Sequence, residues 1–281
     1  MIKTQTIKIA HSPDSDDAFM FYAIKQKKID LRGYNFEISS DEIDVLNQAA
    51  IDSIALVTQS PYDVFAVSFH AYHYLQEHYA MLRSGASMAG KDYGPRLVSK
   101  NPKLVNGIKI AIPGKYTSAF LALQIWLKEQ SENSIQPEFI FCSYNDVFPL
   151  LESGAVDASL LIHESQLKFQ EHGYHLIVDL GQWWYKTYTS GLRMPLGCNV
   201  IRRDLGKEVI VDIDNLLQES IKWGLKNFDE VLAYSRDFAQ NGLDDAQAER
   251  YIHMYVDQST IRLTDDDLKS VELMLSKVSS S

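Results

Sequence analysis

Residues 108–127 read IKIAIPGKYTSAFLALQIWL, and this stretch decides the fold. Ile108, Ile110, Ala111 and Ile112 form a short apolar run that stops at Pro113-Gly114, the signature of a buried strand ending in a turn. Phe120, Leu123 and Leu127 then recur at helical spacing behind Thr117, whose hydroxyl is suited to cap the first turn. Working outward, the same strand-to-helix step repeats. Strands are expected over Ile7–Ala10, Asn35–Ile38, Asp63–Phe69, Arg96–Ser99, Phe139–Cys142, Ser159–Ile162, Leu176–Asp179 and Cys198–Arg202. Helical patterns fall between them at Ala18–Lys27, Ile43–Ala50, Ser118–Leu127 and Val147–Glu152. Beyond Gly206 the strand signals fade into helices expected at Leu216–Lys226, Val231–Phe238, Ala246–Val256 and Leu268–Val278, with Ser279-Ser280-Ser281 as a frayed tail. The class is α/β.

The chain has 281 residues, enough for two domains at ~150 residues each or one large one. A hydrophobic content of 46% can build a core without disulfides or a structural metal, which excludes a disordered chain. Twenty-seven Lys and Arg against 37 Asp and Glu leave a net charge of −10, which opposes attraction to nucleic acid or an anionic membrane. Cys142 and Cys198 sit in apolar runs with no metal-type spacing and read as buried thiols. The N-terminus alternates into a strand without an apolar leader, and no stretch reaches ~18 apolar residues, so a cytosolic protein is expected. With no repeat and no low-complexity linker, the two domains should share connecting strands. The glycine-containing stretch 85–94 and Pro195-Leu196-Gly197 mark the crossings. One lobe is then 1–85 plus 200–281 and the other 90–195, around a central cleft. In open α/β sheets ligands sit beyond the carboxyl ends of strands, so the strand-to-helix junctions are the places to read.

Several patterns fail there. Gly85 to Lys91 fits G-x-x-x-x-G-K, but Asp92 stands where a Ser or Thr would bind Mg²⁺, and Gly94-Pro95 breaks the helix such a loop needs. His70, His73 and Glu77 share one helical face without a fourth ligand and read as a partly exposed helix. Asp14-Ser15-Asp16-Asp17 could be a Mg²⁺ cluster, but acidic residues ahead of Ala18, Phe19 and Tyr22 suit a helix start, and Asp17 is within reach of the cleft. His163 ends the run Ala158-Ser159-Leu160-Leu161-Ile162 and projects from the end of a buried strand, as a general base would. Composition alone leaves open a structural histidine bonded to a neighbouring carbonyl. Thr117 and Ser118, with the first-turn amides, form a helix start that can hold a carboxylate as well as cap itself.

Taken together, these residues carry a resemblance. His11-Ser12-Pro13-Asp14-x-Asp16-Asp17-Ala18-Phe19, Leu82-Arg83-Ser84-Gly85, Gly94-Pro95, Ile112-Pro113-Gly114-x-x-Thr117-Ser118-Ala119, Ile162-His163-Glu164-Ser165, Asp179-Leu180-Gly181-x-Trp183-Trp184, Pro195-Leu196-Gly197 and His253-x-Tyr255-Val256 resemble the 1,4-dihydroxy-6-naphthoate synthase family of the futalosine route to menaquinone. The resemblance runs from about residue 7 to residue 260. It implies a two-lobed type II periplasmic-binding-protein-like fold used as a cytosolic enzyme. It also implies a carbon–carbon lyase that converts cyclic dehypoxanthine futalosine to 1,4-dihydroxy-6-naphthoate with no metal or organic cofactor.

Carried over by position, the resemblance puts the proton-accepting histidine at His163 and substrate contacts at Thr117 and Ser118. Further contacts fall on Ala66, Val67 and Ser68, and Asn47 orders that wall. Two features depart from the family: the segment from Ile51 to Pro61 is long and apolar, and Asp16 stands where a neutral residue is expected. The sister chorismate dehydratase shares the architecture but lacks the Ile-His-Glu-Ser signature, and a non-catalytic receptor for an aromatic carboxylate is the alternative of a different class. Arg83, Arg96 and Arg193 are candidates to meet the substrate's carboxylate. The expected partner is a small-molecule substrate, with neither nucleic acid nor membrane.

Overall fold

The structure, a computed structural model, describes residues 5–55, 60–130, 135–163, 166, 169–188, 191–238 and 245–278. From the N-terminus run β1 (Gln5–His11), α1 (Ser15–Lys25), β2 (Tyr34–Ser40), α2 (Ile43–Ala55), β3 (Val64–Ser68), α3 (Phe69–Leu75), β4 (Tyr79–Met81) and β5 (Ser87–Met88). The chain then crosses into β6 (Arg96–Ser99), β7 (Lys109–Pro113), α4 (Ser118–Glu129), β8 (Glu138–Cys142), α5 (Val147–Ser153), β9 (Ala158–Leu161), β10 (His175–Asp179) and α6 (Leu180–Thr187). It returns along β11 (Pro195–Arg202) into α7 (Lys207–Lys226), α8 (Phe228–Ser235), α9 (Asp245–Tyr255), α10 (Gln258–Ile261) and α11 (Asp265–Ser276).

Two lobes result, each built on its own sheet. The first sheet has the order β2-β1-β3-β11-β4, with β5 also pairing β11, and the second has the order β10-β6-β9-β7-β8. β1 runs parallel to β2 and β3, β7 runs parallel to β8 and β9, and β11 and β6 run antiparallel to their neighbours. β3, Val-Phe-Ala-Val-Ser, is buried at every residue, as a central strand covered on both faces must be. α1 is buried from Ser15 to Ile24 because Phe19, Met20, Phe21 and Ile24 lie between the first sheet and the faces of α7 and α9. Gly94 and Gly181 lie where two backbones meet: a Cβ on Gly94 would stand 2.5 Å from the Gly181 Cα. That contact accounts for the glycine in Asp179-Leu180-Gly181, and Trp184 of the same helix is fully buried and donates to Ser270 Oγ of α11 at 3.0 Å.

Differences from the sequence reading are local. β4 and β5 were not expected, and residues 87–88 are strand inside the stretch read as irregular. α7 starts at Lys207, nine residues ahead of the expected Leu216, because the β-branched run Val209-Ile210-Val211 hides a helix. Glu77 lies beyond the end of α3, so it does not continue the helical face of His70 and His73. Cys198 is buried as expected, whereas Cys142 is half-buried on β8. Thr264 caps α11 in a capping box with Asp267. The Ser279-Ser280-Ser281 tail and residues 56–59 of the long apolar segment lie outside the described residues. No helix among the described residues is long and apolar enough to cross a membrane.

Candidate active site

Four strand ends converge on one cleft of about 690 Å³, its open mouth included. β1 delivers Ser12, Asp14, Asp16 and Asp17, β3 delivers Ala66, Val67 and Ser68, β7 delivers Thr117, Ser118 and Ala119, and β9 delivers Ile162 and His163. β11 closes the wall with Leu196, Gly197, Cys198 and Asn199, and α9 adds Tyr251 and Tyr255.

At the first junction Asp14 is the N-cap of α1 and accepts from Asp17 N–H at 3.3 Å, while Asp17 accepts from Ser12 N–H at 2.8 Å. The cap reading of this acidic run therefore holds. One oxygen each from Asp14, Asp16 and Asp17 lie within 4.8 Å of one another, but all three carboxylates are already engaged, by the turn, by His163 and by Ser87 Oγ. Burial pushes the Asp17 carboxyl well above its ordinary range, and the Asp14 charge adds to it.

At the end of β9, His163 adopts φ 49°, a left-handed conformation that costs a non-glycine residue about 1 kcal/mol or more. Its Nδ1 lies 2.9 Å from Asp14 Oδ2, and its ring meets Tyr144 edge-on at 5.2 Å. Burial alone would raise the Asp14 carboxyl. The charge and hydrogen bond of His163, together with hydrogen bonds to Ser12 and Asp16, outweigh burial and bring it down to about 2. The pair joins the two lobes, since Asp14 follows a strand of the first sheet and His163 a strand of the second. A second bridge lies at the rim, where Glu42 accepts from Ser143 Oγ at 2.9 Å and from Asn145 Nδ2 at 2.9 Å.

The helix start at α4 is built as expected, with one difference in detail. Thr117 accepts from Phe120 N–H at 3.2 Å, and its own hydroxyl donates to the Gly114 carbonyl at 3.1 Å. Ser118 Oγ donates to the Leu196 carbonyl at 2.7 Å. Both hydroxyl protons are thus committed to the protein. The donors this helix start offers a ligand are the N–H groups of Ser118 and Ala119, which have no acceptor within the helix. Behind it lies His70, whose N–H donates to Ser118 Oγ and whose pKa burial lowers to about 4.

Asn47 does not line the cleft. Its Nδ2 donates to Ser68 Oγ at 3.1 Å and its Oδ1 accepts from Ser68 N–H at 2.8 Å, so it fixes the residue that does. None of the three arginine candidates lines the cleft. Arg83 donates to the Leu263 carbonyl, Arg96 to Asp179 and the Gln166 carbonyl, and Arg193 to Asp257 and Ser259. Among the described residues no Lys or Arg lines the cleft. Of the Ile-His-Glu-Ser signature, Glu164 and Ser165 lie outside the described residues. Sequence reasoning missed Gln166, Asn199 and Tyr251 as lining residues and Asp14 as the partner of His163. The signal for Asp14 was its place in the same turn as Asp17.

A family model described as "Menaquinone biosynthesis" matches residues 7–280. A 1,4-dihydroxy-6-naphthoate synthase of Thermus thermophilus is 28% identical over 268 residues, 95% of this chain and 92% of its own length. One of Streptomyces coelicolor is 25% identical over 277 residues, 98% of this chain and 94% of its own length. A crystal structure of an Archaeoglobus fulgidus protein superposes with a TM-score of 0.87 at 33% identity, covering 98% of this chain and 97% of that one. The periplasmic aliphatic sulphonate binding protein of Escherichia coli superposes with a TM-score of 0.67 at 9% identity over 99% and 88% of the two chains, a likeness of fold.

Proposed function

The chain belongs to the menaquinone-biosynthesis family, and on that premise we propose that it is a carbon–carbon lyase converting cyclic dehypoxanthine futalosine to 1,4-dihydroxy-6-naphthoate. One observation carries this reading beyond the fold: the 2.9 Å contact of His163 with buried Asp14 on the cleft wall. A receptor needs shape and donors. It has no use for a histidine strained into φ 49° and clamped by a carboxylate from the opposite lobe.

With the Nδ1 proton directed to Asp14, the basic lone pair stands on Nε2, the tautomer a proton acceptor requires. His163 removes a proton next to a carbonyl of the substrate, and the Asp14 carboxylate stabilises the imidazolium that forms. The N–H groups at the start of α4, framed by Thr117 and Ser118, hold the substrate's carboxylate at the positive end of the helix dipole. Ala66, Val67 and Ser68, the last of them held by Asn47, form the facing wall. Closure of residues 1–85 with 200–281 onto 90–195 excludes water. Loss of the sugar-derived fragment leaves an aromatic ring, which drives the reaction forward.

The purified protein should be incubated with cyclic dehypoxanthine futalosine and, separately, with chorismate, and product followed by absorbance. Naphthoate from the first compound alone supports the reading. Dehydration of chorismate, or binding of either compound without turnover, overturns it. His163→Gln should lower kcat about 10²–10⁴-fold while substrate affinity stays near wild type, and near-normal kcat refutes the base assignment.

A further inference from the structure

Two buried side chains on the cleft wall hold carbonyl oxygens that receive no hydrogen bond from the described residues: Gln166 Oε1 and Asn199 Oδ1. Gln166 is 3% exposed and Asn199 1% exposed. Asn199 is fixed in orientation, and Gln166 is held in place with a hydroxyl partner that can serve either end of its amide. Asn199 Nδ2 donates to the Gly85 carbonyl at 2.9 Å, and turning the amide over would set two carbonyls against each other, so the orientation of Oδ1 is fixed. Gln166 Nε2 donates to Tyr255 OH at 2.9 Å, and Arg96 Nη1 holds the Gln166 backbone carbonyl at 2.8 Å. Proteins rarely bury acceptors without donors, because a carbonyl taken from water and given nothing in exchange is destabilising. Two unmatched amides on one cleft wall, Asn199 with its acceptor fixed and Gln166 able to turn either end to the cleft, point to a hydroxyl, which can supply a donor to the first and match the second in either sense.

The chemistry of this wall is opposite to that of α4. The helix start offers N–H groups to an anion, whereas Gln166 and Asn199 offer lone pairs, with buried Asp16 and Asp17 on the same cleft. A carboxylate is repelled there and a hydroxyl is welcomed. The two regions are also apart along β11: Ser118 bonds Leu196, and Asn199 stands three residues further on, about 10 Å at the rise of a strand.

We propose that Gln166 and Asn199 form a hydroxyl-reading subsite that fixes the direction in which the substrate lies, with its carboxylate on α4 and a hydroxyl-bearing, sugar-like portion on the amide pair. This rests on the lyase reading above and assigns the specificity of that site to two residues that do not touch the proton in transfer.

The test uses Asn199→Leu and Gln166→Met, which keep shape and remove the acceptor, together with Gln166→Glu, which keeps one. KM for cyclic dehypoxanthine futalosine should rise about tenfold or more in the first two and recover toward wild type in the third. The dissociation constant of 1,4-dihydroxy-6-naphthoate, which has no sugar portion, should stay within about twofold of wild type, measured by calorimetry. A deoxy analogue of the substrate, assayed with the unaltered enzyme, should show the same rise in KM and makes the result independent of how the variants fold. Unchanged KM in the variants, equal weakening of substrate and naphthoate, or full activity on the deoxy analogue overturns the subsite while leaving the lyase reading intact. Absence of turnover by the unaltered enzyme overturns the lyase reading, and the subsite with it.

Discussion

Helices α1 and α4 both begin on the cleft wall directly after a parallel strand, yet they treat their N-termini in opposite ways. α1 is capped by Asp14 and carries Asp16 and Asp17 in its first turn, so its dipole is neutralised by its own carboxylates. α4 is capped by Thr117 with no acidic residue in its first turn, so its positive end faces the cleft uncompensated. The same backbone device therefore serves two purposes. In α1 it concentrates negative charge that holds His163, and in α4 it leaves room for an incoming anion. A helix N-terminus is thus not an anion site by geometry alone, because the charge of its cap decides.

The largest expected effect comes from breaking the α1 side. Asp14→Asn should lower kcat about 10²–10⁴-fold with little change in KM, because the imidazole loses the carboxylate that sets its tautomer. The same variant has a stability signature. The Asp14 carboxyl lies below its ordinary value in the folded chain, so it contributes stability above about pH 3.8 that is lost as pH falls toward about 2. Urea unfolding from pH 6 down to 2.5 should show this acid loss in the parent and a weaker one in the variant. An unchanged kcat would detach α1 from the chemistry.

Next in size is a swap that makes α4 resemble α1. Thr117→Asp keeps the cap acceptor but loses the donation to the Gly114 carbonyl, so Tm should fall by a few degrees, and it puts a carboxylate where the proposed function seats the substrate's anion. KM should rise on the order of 10²-fold, and a KM near the parent value would place the anion elsewhere.

The reverse swap, Asp17→Asn, makes α1 more like α4. A carboxyl whose value is raised in the folded chain destabilises it once pH exceeds the unfolded value of 3.8. The variant should therefore gain roughly 2–4 °C in Tm at pH 7, with the gain vanishing as pH falls below that value. A lower Tm at pH 7 would show that Asp17 is a net stabiliser. The smallest effect is expected at the rim: Glu42→Gln weakens the bridge to Ser143 and Asn145 and should raise KM about two- to fivefold without touching kcat.

Much of this was legible in the sequence, and the reasons differ by residue. Strand β7, the turn at Gly114 and the cap Thr117 are local events, each encoded within four or five residues, and so is the placement of His163 at the end of an apolar run. The role of Asp14 was legible only as a cap, because its second partner lies in the other sheet and no local pattern joins residues 14 and 163. The arginines misled for a related reason: Arg96 and Arg193 sit near cleft segments in the chain, but their charges are spent on Asp179, Asp257 and Ser259, which only the packed fold brings to them. The early start of α7 was hidden by β-branched residues. Burial of Ile213, Leu216, Leu217 and Ile221 against the region of α1 outweighs their strand preference.

The bridge between Asp14 and His163 has a thermodynamic corollary. On the proposed function, a proton acceptor aligned by a group across the gap between the two sheets is competent only while that gap is shut, so a molecule that parted its halves would idle with its imidazole unaligned. Whatever draws the halves together also tunes the base, and linkage makes the bargain mutual: the aligned pair in turn favours the shut form.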